Sequence, residues 1–189
     1  MFVIGIQARS GSTRLPNKAL LDLHGKPVWK WVWDAVHDLY PTYMLIPWGN
    51  EDIAMYHSVD DQYDDVQWIC ESEKEPLERY KLLMRYIPEA VYLIRLTADC
   101  PLVNRYIIQD MASVIRANNW LYLQEEADGM DVQIIHRKLF EDERFQDPEH
   151  VLNIQEIKDN GFYHCYEMHL SIDTSEQYKH IVNITKGAL

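Results

Sequence analysis

Short apolar segments alternate with segments of helical periodicity along most of the 189-residue chain. The first apolar run, residues 2–7, is β-branched and apolar almost throughout, as expected for a central strand covered on both faces of a parallel sheet. Pro27 then suits the first turn of a helix whose apolar residues, among them Trp29 and Val32, recur at helical spacing. Because strands and helices that alternate pack in layers, the pattern predicts an α/β fold with a mostly parallel sheet between helices.

Further strands and helices continue this alternation to the end of the chain. The predicted strands after the first are residues 42–47, 67–71, 91–96, 121–123, 132–135 and 169–172. The predicted helices after the first are residues 50–62 with Asn50 as N-cap, a helix opened by Pro76, residues 104–118, and a helix that begins near Thr174. The sequence has no linker, low-complexity stretch or fixed-period repeat, so we expect one domain of residues 1–189.

Charge is spread unevenly along the chain. Acidic residues outnumber basic ones, 30 against 18, and the net charge of −12 opposes binding to nucleic acid or to an anionic membrane. Residues 1–30, however, hold five basic residues and one aspartate. One interpretation is a solvated basic edge that balances an acidic body. The other is a small anion site, because a basic pocket on an acidic protein favours a compact polyphosphate.

The cysteines and the apolar runs indicate in which cellular compartment the protein resides. Cys70, Cys100 and Cys165 are odd in number and show no C-x-x-C spacing, which argues against a disulfide framework or a zinc site. The first apolar run is too short for a signal-peptide core, and no run of 18 apolar residues occurs. We therefore expect a protein of the reducing cytoplasm that neither spans a membrane nor is secreted.

A long polar connection, Q-A-R-S-G-S-T-R-L-P-N-K at residues 7–18, follows the first strand. Most βα loops have about 2–6 residues, and longer ones usually carry a function. Its small residues can turn backbone N–H groups and hydroxyls towards one point, and its three cations supply charge, which together suit phosphate oxygens. The loop matches neither G-x-x-x-x-G-K-[ST] nor G-x-G-x-x-G. A basic surface loop is the other interpretation.

Two aspartates stand where predicted strands end. Asp99 follows R-L-T-A at the end of the fourth strand, and Asp173 follows S-I at the end of the last. A carboxylate beside the core is costly unless it is paired or binds a metal, and an N-cap or a partner for Arg95 is the alternative. Mg²⁺ prefers one or two carboxylates together with phosphate oxygens and water. The two acids are therefore candidate ligands of one hard cation.

Several motifs resemble those of the cytidylyltransferases that make CMP-activated sugars, in particular the spore-coat-polysaccharide and 3-deoxy-manno-octulosonate (KDO) types. The loop I-x-x-Q-A-R-x-G-S-T-R-L-P-x-K-x-L, followed by G-K-P, carries the most specific match. T-A-D-C-P-L is similar to a T-G-D-C-P-L element, and S-I-D-T-S-E-Q-Y to a V-D-T-P-E-D element. P-L-E-R-Y, G-M-D-V-Q and E-H-V are similar to V-L-x-R-Y, G-L-D-V-E and E-H-V, so the likeness runs in order from Ile4 to Tyr178.

The resemblance implies a three-layer α/β/α, Rossmann-like fold with a mixed, mostly parallel sheet, as in nucleotide-sugar enzymes. It implies transfer of CMP from CTP to a sugar, with Mg²⁺ as cofactor, a nucleotide-binding half of about residues 1–103, and an acceptor and metal half of about residues 104–189. Arg14 and Lys18 are the implied catalytic residues, and Asp99 and Asp173 the metal ligands. The implied nucleotide contacts are Gln7, Ala8, Arg9, Ser10, Gly11, Ser12, Thr13, Arg79 and Thr97. The implied acceptor contacts are Asp131, Gln133 and His150.

The chain departs from the family pattern in places that bear on the acceptor. Ala98 replaces a usual glycine, Gln133 replaces a glutamate, and the chain is shorter than typical members. The open alternatives are a nucleotidyltransferase that uses another nucleotide or a phosphonate or alditol-phosphate acceptor, and a shortened relative that binds nucleotide without catalysis. A sugar-transferring enzyme usually has a D-x-D metal motif, which this sequence lacks. We expect CTP and a small sugar as partners, and neither nucleic acid nor a membrane. A homodimer is one assembly that the sequence allows.

Overall fold

The computed structural model describes residues 1–50, 52–60, 63, 66–71, 76–125, 131–141, 160–163 and 172–186. The strands are β1 (Phe2–Gln7), β2 (Asp22–Leu23), β3 (Lys26–Pro27), β4 (Thr42–Pro47), β5 (Trp68–Glu71), β6 (Tyr92–Thr97), β7 (Tyr122–Glu125), β8 (Gln133–His136) and β9 (Asn160–Tyr163). The helices are α1 (Val28–Val36), α2 (Ile53–Asp60), α3 (Pro76–Tyr86), α4 (Arg105–Asn118) and α5 (Ser175–Thr185). Within these residues, no helix has both the length and the apolar character needed to cross a bilayer.

The main sheet has seven strands in the order β5-β4-β1-β6-β8-β7-β9. β1 pairs in parallel with β4 on one side and with β6 on the other. Among the described strands of this sheet, β8 alone runs against the rest, because it pairs antiparallel with both β6 and β7, while β9 runs parallel to β7. The predicted mixed, mostly parallel sheet with β1 inside it is confirmed.

The two faces of β1 belong to different layers of the core. Ile4 and Ile6 belong to one cluster, which includes apolar residues of α1, α2 and α4, whereas Val3 belongs to a second cluster with α3. This alternation follows from the two-residue side-chain period of a strand. Gly5 allows α3 to approach the sheet closely, since a Cβ there would lie 3.1 Å from a methyl carbon of Leu83. The layers are therefore helices, sheet and helix, as the α/β/α prediction requires.

Most predicted elements are present with small shifts in their ends. The strand predicted at 42–47 has those bounds, whereas α2 begins at Ile53, so Asn50 does not cap it. The predicted strand at 169–172 is not seen at Ile172, and its other positions lie outside the described residues. The short hairpin of β2 and β3 and the strand β9 were not predicted. Each hairpin strand has two residues, too few for an alternating pattern.

A third apolar cluster joins the β2–β3 hairpin to α5. It contains Leu23 of the hairpin, Val28 of α1, Ile172, and Ile181 of α5. The hairpin turn requires positive φ, which Gly25 adopts at 85° without steric cost. The cluster holds the start of α5 beside the segment that leads into α1, and this packing brings the end of the chain to the first βα connection.

Candidate functional site

A polar cleft of about 480 Å³ lies at the carboxyl ends of β1 and β6. This is the edge at which parallel α/β sheets bind ligands. The cleft is lined by most of the residues that the sequence predicted, which are Gln7, Ala8, Arg9, Gly11, Ser12, Thr13, Arg14, Lys18, Thr97, Asp99, Asp131, Gln133 and Asp173. Positions separated by more than 150 residues in the sequence therefore meet in one cavity, as the ion pair of Lys18 with Asp173 shows.

Three of the predicted site residues are not among those lining the cleft. Ser10 is buried within the polar connection, and its hydroxyl oxygen has no hydrogen-bond partner among the described residues. Arg79 is 1% exposed and lies beneath the ends of β1 and β4. His150 lies outside the described residues.

Lys18 occupies the centre of the charged part of the cleft. Its ammonium group forms ion pairs with the carboxylates of both Asp99 and Asp173, and the Nζ–Oδ1 distance to Asp173 is 2.8 Å. Arg14 Nη2 also lies 2.9 Å from Asp173 Oδ1. The two cations from the polar connection thus contact the two acids that the sequence assigned to one metal. Both carboxylates face the connection that carries the candidate phosphate-binding groups.

Backbone contacts explain why the two acids meet. The Ile172 amide donates a hydrogen bond to the Asp99 carbonyl at 2.9 Å. Thr174 caps α5, and the Gln177 side-chain oxygen accepts hydrogen bonds from the Asp173 and Thr174 amides, each at 2.9 Å. The capping box fixes the entry to α5, and the amide contact attaches that entry to the turn after β6.

The acid pair controls the charge of Lys18. Burial by itself would lower the pKa of the ammonium group, because it disfavours the charged form. The charges and hydrogen bonds of Asp99 and Asp173 act in the opposite direction and prevail, so the pKa of Lys18 lies above its ordinary value of 10.5. Lys18 is therefore cationic at any physiological pH.

The P-L-E-R-Y motif of α3 supports the end of β1 from below the cleft. Arg79 Nη1 donates hydrogen bonds to the carbonyl of Leu45 at 3.1 Å and to that of Ala8 at 3.4 Å. The Tyr80 hydroxyl donates to Gln7 Oε1 at 3.0 Å. Both side chains are buried, so the motif determines where the first residues of the polar connection lie.

Asp52, in the turn before α2, supports the polar connection from the other side. Its Oδ1 accepts a hydrogen bond from the Ser10 amide at 2.7 Å, and the residue is 7% exposed. The Ser10 carbonyl in turn accepts hydrogen bonds from the amides of Ser12 at 2.9 Å and Asn17 at 3.1 Å. Both polar groups of the Ser10 backbone are therefore used to shape the connection.

Asp131 faces the same cleft from the segment that leads into β8. The Thr97 hydroxyl donates to Asp131 Oδ2 over 3.4 Å. Although the residue as a whole is exposed, neighbouring groups partly desolvate its carboxylate, and this raises the pKa of Asp131 above the ordinary value of 3.8. The positive charge of Arg95 opposes that rise, and the negative charge of Asp99 adds to it.

The sequence of the chain matches a family model described as cytidylyltransferase over residues 3–186. The chain belongs to the cytidylyltransferase family. A 3-deoxy-manno-octulosonate cytidylyltransferase of Saccharophagus degradans is 22% identical over 164 residues, which cover 86% of this chain and 60% of the relative. The chain spans between 46% and 60% of the length of the three curated relatives it matches.

Two solved structures share the fold of this cytidylyltransferase-family chain. A cytidylyltransferase from Leptospira borgpetersenii serovar Hardjo-bovis superposes with a TM-score of 0.87 at 24% identity, covering all of this chain and 87% of the other. A CMP:2-keto-3-deoxy-manno-octonic acid synthetase in complex with CTP superposes with a TM-score of 0.78 at 15% identity, covering 100% and 99%. The predicted nucleotide-sugar-enzyme fold is confirmed.

Three polar residues of the cleft or its support were not predicted as site residues from the sequence. Arg95 and Gln124 line the cleft from β6 and β7, and Asp52 anchors the polar connection. Arg95 was predicted only as an alternative partner for Asp99. An arginine within an apolar strand is uncommon, however, and this alone could have indicated a functional position. Asp52 was assigned to the first turn of a helix, and nothing in its neighbourhood along the chain points to Ser10.

Proposed function

We propose that the protein transfers CMP from CTP to a hydroxyl group of a sugar, giving a CMP-sugar and pyrophosphate. The observation that carries this proposal is the contact of Lys18 and Arg14 with Asp99 and Asp173 in one cleft. Cations beside a carboxylate pair suit a reaction in which a polyphosphate must be held, aligned and neutralised. The curated relatives that the chain matches are named 3-deoxy-manno-octulosonate cytidylyltransferases, which supports CTP and an acidic sugar as substrates.

The bond changes are those of a single displacement. An oxygen of the sugar attacks the α-phosphorus of CTP, the bond from that phosphorus to the bridging oxygen breaks, and pyrophosphate leaves with the electron pair. The attacking hydroxyl loses its proton. We assign the polar connection to the phosphates, with Arg14 and Lys18 stabilising the charge that develops on the α-phosphate and the pyrophosphate. Arg9, which lines the same cleft, is assigned to the phosphate tail.

The donor set at the cleft fits a divalent ion. Within the described part of the chain, no cluster of three or more His, Cys, Asp or Glu residues is suited to a metal, so a site built entirely from side chains is not expected there. Two carboxylates that converge on one nitrogen are the donors that Mg²⁺ uses when phosphates and waters complete its shell. Asp99 and Asp173 would hold the ion, which when bound neutralises phosphate charge. Lys18 and Arg14 then require new partners, and the phosphates supply them.

We assign the two sides of the cleft to different substrates. The polar connection, Thr97 and the supports from Arg79 and Asp52 belong to residues 1–103, which we assign to the nucleotide. Gln124, Asp131 and Gln133 belong to residues 104–189, which we assign to the acceptor. His150 stays a prediction for the acceptor, as do the homodimer and the cytoplasmic location for the protein.

A pyrophosphate-release assay tests the proposal. The chain is incubated with Mg²⁺, each of the four ribonucleoside triphosphates, and an acceptor panel of 3-deoxy-manno-octulosonate, N-acetylneuraminate and an alditol phosphate. We expect release with CTP and an acidic sugar. The Arg14→Ala variant should be slower by about 100–1,000-fold, as for loss of other preorganised charge-stabilising groups, while Lys138→Ala, at the opposite edge of the sheet, should match the parent. Binding of CTP and Mg²⁺ without turnover on any acceptor would show a non-catalytic relative.

A further inference from the structure

The helix that follows Asp173, α5, has little apolar anchorage of its own. Among the described residues of this helix, Ile181 and Thr185 are the buried ones. Ile181 belongs to the third apolar cluster, together with Leu23 of the β2–β3 hairpin. Apolar burial is non-directional, so hydrogen bonds must fix the direction in which α5 leaves the cleft. The contacts that do so therefore help to decide where the Asp173 carboxylate lies.

The β2–β3 hairpin holds α5 at both its first and its last turn. In the first turn, the Tyr178 hydroxyl donates a hydrogen bond to the Asp22 carbonyl. In the last turn, the distance from His24 Nε2 to Thr185 Oγ1 is 2.9 Å. The Thr185 hydroxyl donates its one proton to the Ile181 carbonyl at 2.7 Å, so its oxygen accepts from the histidine ring. The two contacts lie about 10 Å apart along the helix and on the same face of it.

The backbone of His24 is unusual for a residue that has a Cβ atom. Its φ is 54° and that of Gly25 is 85°, and positive φ at both central residues is the pattern of a type I′ turn. Asn-Gly is a favoured pair in such turns, and any side chain other than glycine carries a steric cost there. For the turn alone, asparagine would serve as well as histidine. The contact of the histidine ring with α5 gives the residue a purpose beyond the turn.

The hairpin can position α5 because it is itself fixed to the rest of the molecule. The indole N–H of Trp31, in α1, donates to the Leu23 carbonyl at 2.8 Å. Leu21, three residues after Lys18, packs against the same apolar cluster as Leu23. The hairpin is thus a second link between the segment of Lys18 and the segment of Asp173, in addition to their ion pair.

We propose that the β2–β3 hairpin positions Asp173 by holding α5 at its first and last turns. Tyr178, His24 and Thr185 are the positioning residues. In the described part of the chain, none of the three is among the residues that line the cleft, so their effect passes through the acid. This inference rests on the proposed function, because it takes Asp173 to be a metal ligand. Residues that orient a metal ligand typically change metal affinity or activity about 10–100-fold when they are replaced.

The contact in the first turn is tested by Tyr178→Phe, which removes the hydroxyl and keeps the ring. We expect the dissociation constant for Mn²⁺, measured by calorimetry without nucleotide, to rise about tenfold, and kcat for pyrophosphate release to fall by about the same factor. Tyr92→Phe is the matched control, because the Tyr92 hydroxyl donates to the Trp120 carbonyl at 3.4 Å, at the amino end of β6. Both variants lose a bond from a hydroxyl to a carbonyl, but only Tyr178→Phe should weaken Mn²⁺ binding.

The contact in the last turn is tested by His24→Asn and Thr185→Val. Asparagine tolerates positive φ and forms the favoured Asn-Gly pair, so the turn persists while the ring is lost. Each variant should raise the Mn²⁺ dissociation constant about fivefold, as for the loss of one hydrogen bond. The double variant should bind Mn²⁺ as weakly as either single one, because both changes remove the same contact. Thr185→Ser keeps the hydroxyl and should match the parent.

Melting temperatures establish that each variant is folded during the titrations. Parent-like Mn²⁺ binding in Tyr178→Phe, or an equal loss in Tyr92→Phe, would overturn the inference. Effects of His24→Asn and Thr185→Val that multiply in the double variant would overturn it as well. The titrations need no turnover, so a parent chain that binds Mn²⁺ but releases no pyrophosphate would refute the proposed function alone. A parent chain that binds no Mn²⁺ would refute the inference together with the proposed metal site.

Discussion

The ammonium group of Lys18 donates a hydrogen bond to Asp173, 155 positions further along the chain, over 2.8 Å. The same nitrogen forms an ion pair with Asp99. Lys18 therefore places a positive charge between the two carboxylates proposed as metal ligands. A divalent ion bound there would compete with the lysine, and nucleotide phosphates would favour the ion because they would offer the lysine another partner. Metal and CTP should consequently strengthen each other's binding.

Replacing Lys18 by methionine should separate metal binding from turnover. Without the ammonium group, the carboxylates no longer carry a competing cation, so Mn²⁺ should bind the nucleotide-free variant about 10–100-fold more tightly, a change of about 1.4–2.8 kcal/mol. Pyrophosphate release should fall by about 100–1,000-fold, because we assign to the same group the stabilisation of phosphate charge. Calorimetric titration with Mn²⁺ and the release assay give the two values. Lys138→Met controls for the change in net charge, and equal or weaker Mn²⁺ binding in Lys18→Met would refute the competition.

Replacing Asp52 should affect CTP binding through the polar connection. Asp52→Ala leaves the buried Ser10 amide without its acceptor, which should cost about 1–3 kcal/mol of stability and weaken CTP binding roughly tenfold. Asp52→Asn retains a carbonyl oxygen that can accept from the same amide, so its CTP affinity should lie close to that of the parent. Calorimetry with CTP and denaturant unfolding measure both effects. The control is Asp38→Ala, which removes an exposed ion pair to Arg105 and should cost at most about 1 kcal/mol.

The Asp131 carboxylate should make stability depend on pH. Its pKa is raised in the folded protein, so the folded state holds the proton more tightly than the unfolded chain does. Stability is therefore lost as the pH rises from the ordinary value of 3.8 through the raised value. Asp131→Asn removes that loss, and its melting temperature should exceed that of the parent most at pH 8. The gap should narrow as the pH falls towards 4, and a gap that does not change with pH would contradict the assignment.

The hydrogen bonds that Arg79 and Tyr80 of α3 form with the chain at the end of β1 should contribute measurably to the stability of the fold. Tyr80→Phe removes the hydrogen bond to Gln7 Oε1 and should cost about 1 kcal/mol. Arg79→Met removes a buried cation that donates to two backbone carbonyls, and it should cost about 2–4 kcal/mol. Denaturant unfolding gives both values. Arg85→Met, near the end of the same helix, is the matched control because that side chain is exposed.

The sequence allowed prediction of those parts of the fold that depend on local pattern. Continuous apolar runs identified β1 and β4, and the cation-rich connection between β1 and α1 identified the candidate phosphate site. The residue pattern of β8 could not predict that this strand runs antiparallel to its neighbours, since the direction of a strand is determined by the path on which the chain returns to the sheet. It also could not predict β9, because four residues around Gly161 carry no alternating signal.

Contacts between distant positions account for what the sequence analysis missed in the site. Gln133 is in register with Arg95 of β6 on one side and with Gln124 of β7 on the other, and this pairing depends on the order of the strands in the sheet, which the sequence of a single strand does not encode. The same holds for Asp52 and Ser10, which are 42 positions apart. The convergence of Asp99 with Asp173 was predicted because strand ends in parallel sheets lie at one edge, although the strand expected before Asp173 is not seen at Ile172.

Because β8 runs in the reverse direction, the cleft lies at the end of β1 and β6 but at the beginning of β8. Gln7 and Thr97 end their strands at the cleft, whereas Gln133 begins its strand there. Insertions or deletions in the sequence ahead of β8 would therefore change one wall of the cavity while the polar connection, which we assign to the phosphates, keeps its length. The proposed acceptor side can in this way vary without a change in the proposed nucleotide side.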